Sequence, residues 1–315
     1  MNTPFRILFM GTSDFAVPAL QALRDKGYPI VLVVTQPDRP AGRGLELKAS
    51  PVKKLALELG LPLYQPEKIK TPESVETLVK AQPDVMVVAA YGQILPKSVL
   101  EIPKVAALNI HGSILPKYRG AAPIHYAVMA GEKETGVTIM YMNEKMDEGD
   151  GLLVKRTPIG PEETTGNVHD RLAVLGAEGL VEALELLRDG KAPRTPQDHA
   201  KATFSPSIKR EKCLVKWDKS PQEIVNQVRG LSPWPLAETL WREQNLKLYS
   251  AKVDAHRAEG KRPGEVLEIK KDGIVVAGGG GAILLKEIQP PGKKKMSAYD
   301  FTLGHKDFKP GEILS

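Results

Sequence analysis

Asn109 and His111 stand two residues apart at the end of an apolar run, and they are the strongest chemical signal in the sequence. Residues 105–110 read as a strand. Side chains alternate across a strand, so the amide and the imidazole project from the same side into one space. The amide offers a fixed N–H donor, and the imidazole is the side chain that gains and loses protons near neutral pH. A lone histidine is more often structural than catalytic. Here the strand-end position, the following Gly112 and the loop 113–120 before the next helix favour a site. A second candidate is the acidic turn Met146-Asp147-Glu148-Gly149-Asp150. It could bind a divalent cation, cap a turn or supply one carboxylate to orient the histidine. Neither this turn nor Cys213, the single cysteine, has further ligands at metal spacing, so no metal site is expected. The third candidate, Gly11-Thr12-Ser13-Asp14, follows a strand but lacks the G-x-G-x-x-G spacing that brings backbone against a pyrophosphate, which argues against a dinucleotide cofactor.

The elements that must position these residues follow from the hydrophobic pattern. Residues 6–10, 30–34 and 85–90 are continuous apolar runs, as expected of strands buried on both faces. Between them, 16–26 and 52–59 carry apolar residues at helical spacing, stopped by Gly27 and Gly60. This βαβ progression predicts an α/β fold with a doubly wound, mostly parallel, Rossmann-like sheet. A helix is expected at 121–130, strands at 137–142 and 152–157, and a helix at 172–187. Residues 191–207 carry Pro193, Pro196 and Pro206 with few large apolar residues, and read as a linker. Beyond it, a helix at 221–229 precedes short strands at 239–241, 246–249, 266–269, 274–276 and 283–285. Five such strands suit an OB-like β-barrel. The glycines at 278–281 are not followed by Gly-Lys-Ser/Thr and read as a hairpin turn. The expected domains are therefore 1–190, a linker at 191–207, and 208–315.

Length and composition set outer bounds. The chain has 315 residues, 42% hydrophobic and 26% charged, which suits two folded domains rather than a disordered chain. No apolar stretch is long enough for a membrane span, and the start lacks the pattern of a secretory signal, so a cytoplasmic protein is expected. No long heptad pattern is present, and a monomer is expected. Residues 201–315 hold 21 Lys and Arg against 14 Asp and Glu, whereas residues 1–200 hold 23 against 24. The positive excess thus sits in the last third, as expected either for a polyanionic partner or for a solubility charge.

Taken together, Asn109-x-His111, the run from Ser113 through Arg119-Gly120 to Ile124, and Met146-Asp147-x-Gly149 resemble the core of the folate-dependent formyltransferases. The likeness extends to Phe9–Ala16, Gln36–Gly44, Ala89–Pro96 and Leu231–Pro235, nearly the full length. Ser13 stands where proline is usual, Ile114 where leucine is usual, and Asp150 is an additional acid. The resemblance implies transfer of a formyl group from 10-formyltetrahydrofolate to the α-amine of methionine on initiator methionyl-tRNA. It assigns Asn109 to the developing oxyanion, His111 to proton handling and Asp147 to orienting the imidazole. Folate would lie against Tyr91, Gly92, Ile94 and Leu95, with Ser113, Ile114, Leu115 and Pro116 as an adjacent wall. Arg39, Arg43 and Lys48, in a polar loop at 36–48, would meet the tRNA acceptor end. Lys209, Arg210 and Lys212, with Lys216, Lys219 and Lys293–Lys295, would contact phosphates. Two alternatives stand beside this: a formyltransferase acting on a nucleotide-linked amino sugar, and a tRNA-binding protein whose catalytic site has decayed.

Overall fold

The protein is described by a computed structural model that covers residues 4–41 and 46–315. Its chain gathers into two compact units. One holds the residues up to Gly120 with Thr135–Thr157 and His169–Phe204; the other holds Ala121–Glu134, Pro158–Val168 and Ser205–Ser315.

The chain opens with β1 (Ile7–Gly11), α1 (Val17–Asp25) and β2 (Ile30–Val34). Two short strands, β3 (Arg39–Ala41) and β4 (Glu46–Lys48), then pair as an antiparallel ribbon with Arg39 opposite Lys48, so part of the loop expected at 36–48 is ordered as strand. Next come α2 (Pro51–Glu58), β5 (Leu63–Tyr64), α3 (Pro72–Lys80), β6 (Val85–Ala89), α4 (Lys97–Leu100) and β7 (Ala106–His111). The helix α5 (Pro123–Met129) leads to β8 (Glu134–Tyr141), β9 (Gly151–Pro158) and the long α6 (Thr165–Arg188). Sequence pattern anticipates neither α3 nor the first seven residues of α6. In α3 the helix is carried by its caps: Thr71 Oγ1 accepts from Ser74 N, and Pro72 and Glu73 occupy the first turn.

In the first unit the strand order is β5-β2-β1-β6-β7-β8-β9. The pairs from β5 through β7 are parallel and β7 pairs antiparallel with β8, with Ile110 opposite Ile139. Both β1 and β6 are buried along their whole length, which is why their sequences are unbroken apolar runs. The chain lays strands to one side of β1 and then reverses to lay β6 and β7 on the other. Between β1 and β6 lies the topological switch point, where open α/β sheets bind ligands at the carboxyl ends of the strands. The loops after these two strands are tied there: Thr12 Oγ1 donates to the Tyr91 carbonyl at 2.8 Å.

The second unit continues with α7 (Arg210–Cys213), α8 (Pro221–Gly230), β10 (Ala237–Trp241), β11 (Gln244–Asp254), β12 (Val266–Lys270), β13 (Gly273–Gly278), β14 (Gly281–Gln289), β15 (Met296–Ser297) and α9 (Ala298–Gly304). All five strands read from the sequence are present, and Gly278 faces Gly281 across the expected hairpin. Their order is β10-β11-β14-β13-β12, with β15 added to β14. Among the described residues β10 and β12 do not pair, so the strands do not close directly into the expected barrel. The carboxy-terminal tail occupies the free edges instead: Leu240 N donates to Ser315 O at 2.7 Å, Val266 N to Glu312 O at 2.8 Å and Leu314 N to Gly264 O at 2.9 Å. Under this sheet Trp217, Ile224, Trp241, Leu248, Val276 and Phe301 form one core. Both buried indole N–H groups are satisfied, by Thr239 Oγ1 and Glu312 Oε2. Among the described residues no helix is long and apolar enough to cross a membrane.

Candidate active site

Asn109 and His111 occupy alternate positions at the end of β7, on one face of the sheet; Asn109 is level with Val88 of β6 and Met140 of β8. Asn109 is half-buried, whereas His111 is only 5% exposed. The His111 Nε2 lies 3.0 Å from the carbonyl of Tyr118. A carbonyl can only accept, so Nε2 carries the proton of that bond and Nδ1 is left to face Asp147, whose Oδ2 is 3.6 Å away. That separation is an electrostatic contact rather than a formed hydrogen bond. The same Oδ2 accepts from Gly120 N at 2.8 Å, which fixes the carboxyl group. Asp147 itself adopts a left-handed backbone, φ 54°. The structure therefore brings imidazole and carboxyl together and encloses the imidazole, with Asn109 one register step along the same strand face.

The expected folate wall consists of two loops that leave neighbouring parallel strands at their carboxyl ends. After β6, Tyr91 is 2% exposed, and burial, reinforced by Tyr64, pushes its phenol up to about 12. Its carbonyl accepts from Thr12 and from Gln36 Nε2. Gly92 takes φ 92°, Leu95 is buried and Ile94 is 78% exposed. After β7, the Ser113 hydroxyl is fully buried and donates to the Lys117 carbonyl at 2.6 Å, so it shapes the loop from within. Thr138 of β8 donates to Ser113 O and accepts from Leu115 N, holding the segment that contains Ile114, Leu115 and Pro116. The Leu115–Pro116 peptide is cis.

Of the cationic residues expected at a nucleic acid, Arg39 and Lys48 face each other across the β3–β4 ribbon, and Arg39 is paired with Glu67 at 2.6 Å with both side chains exposed. Arg43 lies outside the described residues. Lys209, Arg210 and Lys212 are exposed around α7 in the second unit, with Lys212 Nζ 5.5 Å above the ring of Tyr126. Cys213 on the same short helix is buried, and burial raises its thiol pKa. Among the described residues no three His, Cys, Asp or Glu side chains group as metal ligands.

Sequence reasoning missed the side chains that hold these loops. Thr138 looks like one more strand residue, and Arg119, 2% exposed, looks like one more loop cation. Only an unusual burial, invisible in one sequence, marks them.

Residues 5–184 match the formyl transferase family and residues 207–306 its carboxy-terminal domain. A methionyl-tRNA formyltransferase from Moorella thermoacetica is 50% identical over 98% of this chain and 99% of its own, and one from Bacillus subtilis is 47% identical over 98% and 97%. The chain belongs to the methionyl-tRNA formyltransferase family. Among solved structures, HypX from Aquifex aeolicus in complex with tetrahydrofolic acid has the same fold at a TM-score of 0.64 and 17% identity, over 99% of this chain and 50% of that one. An N-formyltransferase from Helicobacter canadensis in complex with folinic acid and dTDP-3-aminofucose does so at 0.65 and 15%, over 90% and 99%.

Proposed function

We propose that this protein transfers a formyl group from N10 of 10-formyltetrahydrofolate to the α-amine of methionine on initiator tRNA, acting as a monomer in the cytoplasm. The carrying observation is end-to-end likeness to proteins of that activity, at 50% identity through both family domains, against 15% for the solved N-formyltransferase holding an amino-sugar nucleotide. The presence of Asn109, His111 and Asp147 together speaks against a decayed enzyme. A single buried cysteine suits a reducing compartment.

Formyl transfer needs an uncharged amine, a donor for the charge that develops on the formyl oxygen, and a route for the proton. A free α-amine titrates at about 7.7–8.0, and an adjacent ester lowers it, so much of the nucleophile is neutral without help. Asn109 donates its amide N–H to the oxygen, an interaction worth about 2.7–4 kcal/mol of transition-state stabilisation. His111 handles the proton, with Asp147 holding its Nδ1 side. For Nε2 to take the proton of the attacking amine, the amine must replace the Tyr118 carbonyl as its partner and the ring proton must sit on Nδ1 toward Asp147; as the bond from the formyl carbon to N10 breaks, the proton passes to N10 and tetrahydrofolate leaves. The main chain at 91–95, next to the switch point, offers donors and acceptors to the pterin edge, and 113–116 forms the adjoining wall.

The second unit acts as the tRNA-binding domain, an OB-like fold in which the tail at 311–315 runs along the open edges of β10 and β12. Lys209, Arg210 and Lys212 bind phosphates there, and Arg39, Arg43 and Lys48 do so in the first unit. Such interactions position the nucleic acid without reading bases. The test is a formylation assay with 10-formyltetrahydrofolate and either charged initiator tRNA or a dTDP-linked amino sugar. Turnover of the tRNA alone is expected; turnover of the sugar alone would overturn the assignment.

A further inference from the structure

The segment whose composition reads as a linker takes part in the candidate site. Thr195 and Gly151 exchange both backbone hydrogen bonds at 2.9 Å. Continuing that antiparallel register by two residues puts Gln197 opposite Gly149. There the Gln197 side chain donates from Nε2 to two carbonyls of the acidic turn, Asp147 O at 2.8 Å and Gly149 O at 2.7 Å. Its Oε1 accepts from Arg119 Nε at 3.2 Å and Nη2 at 2.8 Å. A guanidinium only donates and a carbonyl only accepts, so the amide can sit in one orientation only. Arg119 is itself fixed, through Nη1 to Glu148 Oε1 at 3.2 Å and Nη2 to His199 Nδ1 at 3.0 Å.

The turn needs such support. Asp147 holds a left-handed backbone, which is strained for a residue with a side chain and persists only when its surroundings over-determine it. Gly149 cannot relax the turn by shifting toward β8, since even a Cβ there would stand 1.8 Å from the Tyr141 carbonyl. Gln197 therefore locks the two main-chain carbonyls on either side of Glu148, while Gly120 N locks the Asp147 carboxyl.

We propose that Gln197, held by Arg119, is a positioning residue for formyl transfer: its amide sets the 147–149 turn and so the placing of Asp147 against His111. This rests on the formyl-transfer reading above. Gln197→Glu is the informative change, because the carboxylate keeps, and strengthens, the bond to Arg119 while removing both donors to the turn. Gln197→Met, of similar length with no donor and only a weak sulfur acceptor, is its companion should the new charge prevent folding.

In steady-state formylation of charged initiator tRNA, both variants are expected to lose kcat on the order of 10–100-fold, with KM for folate and tRNA within about twofold of the parent. The thermal midpoint of Gln197→Glu should fall, because two donors to the turn are lost, but stay well above the assay temperature so that kcat is read on folded protein. Independently of activity, the His111 ring resonances should shift in both variants and stay in place in an exposed control, Asp198→Asn. Parental kcat in either variant, or losses confined to KM or thermal stability, would overturn the proposal. An inactive parent would instead count against the assigned reaction, and unmoved His111 resonances would then still refute the role of Gln197.

Discussion

The two regions proposed to carry function are built on opposite principles. Around the end of β7 His111 is enclosed and Asn109, Asp147 and Gln197 are partly buried, and three of these side chains are held by a fixed partner: His111 on Tyr118, Asp147 on Gly120, Gln197 between Arg119 and the turn. Around α7 the cations are exposed and long, and Lys212 has for a neighbour a ring 5.5 Å away. The first region stores geometry; the second stores charge. Geometry resists salt and fails abruptly when one atom is moved, whereas exposed charge is screened over about 8–10 Å at physiological ionic strength and fails gradually. Changes in the two regions should therefore separate in magnitude, in kinetic constant and in salt response.

The largest effects belong to β7. Asn109→Ala is expected to lower kcat by about 10²–10³-fold, the usual loss for a single oxyanion donor, and His111→Ala by about 10²–10⁴-fold. Rapid-quench formylation at two salt concentrations checks both; losses that shrink as salt rises would place these residues with the charge-based region instead. Next comes Gly149→Ala, where the added methyl meets backbone that cannot move aside. Overpacking of this kind costs roughly 1–3 kcal/mol, so a denaturant midpoint clearly below that of the parent is expected. An unchanged midpoint would mean that the 147–149 turn yields to the methyl and is no rigid frame for Asp147.

Much of this frame is legible in sequence because it follows local rules. The unbroken apolar runs of β1, β2 and β6 announce strands buried on both faces, and Asn109 and His111 fall on one face through simple alternation. Legibility ends where the chain meets itself over long separations. Gln197 sits among prolines and polar residues that look like solvated linker, yet it bonds to a turn 48 and 50 residues away. Arg119 differs from Lys117 in burial, not in type, and a single sequence carries no record of burial. The barrel expected from five short strands fails to close directly for a similar reason: residues 312–315 carry no marked strand pattern, yet they take up the edges of β10 and β12.

In the charge-based region, replacing Lys209, Arg210 and Lys212 together by alanine should raise KM for tRNA by about tenfold at low salt and leave kcat near the parental value. The slope of log affinity against log salt scales with the number of phosphates neutralised, at about 0.7–0.9 for each, so the triple variant should show a visibly flatter dependence. A parental slope would remove α7 from the interface, and a fall in kcat at saturating tRNA would show that the two regions are not separable in function.

The smallest expected effect concerns a residue that belongs to the first unit but behaves as charge. Arg39 donates to Glu67 at 2.6 Å with side chains 60% and 67% exposed, an ion pair of the kind worth about 0.2–1 kcal/mol at most. If Arg39 binds phosphate as proposed, it must release Glu67, and the pair then competes with tRNA. Glu67→Gln removes the competitor without adding a cation, and should lower KM for tRNA by about two- to threefold at low salt, with the gain disappearing as salt rises. Thermal stability should move by less than about 1 kcal/mol. A gain that persists at high salt would mean Glu67 acts by shape on the β3–β4 ribbon. A KM that rises instead would mean the pair holds Arg39 in the position from which it binds, moving this exposed cation from charge to geometry.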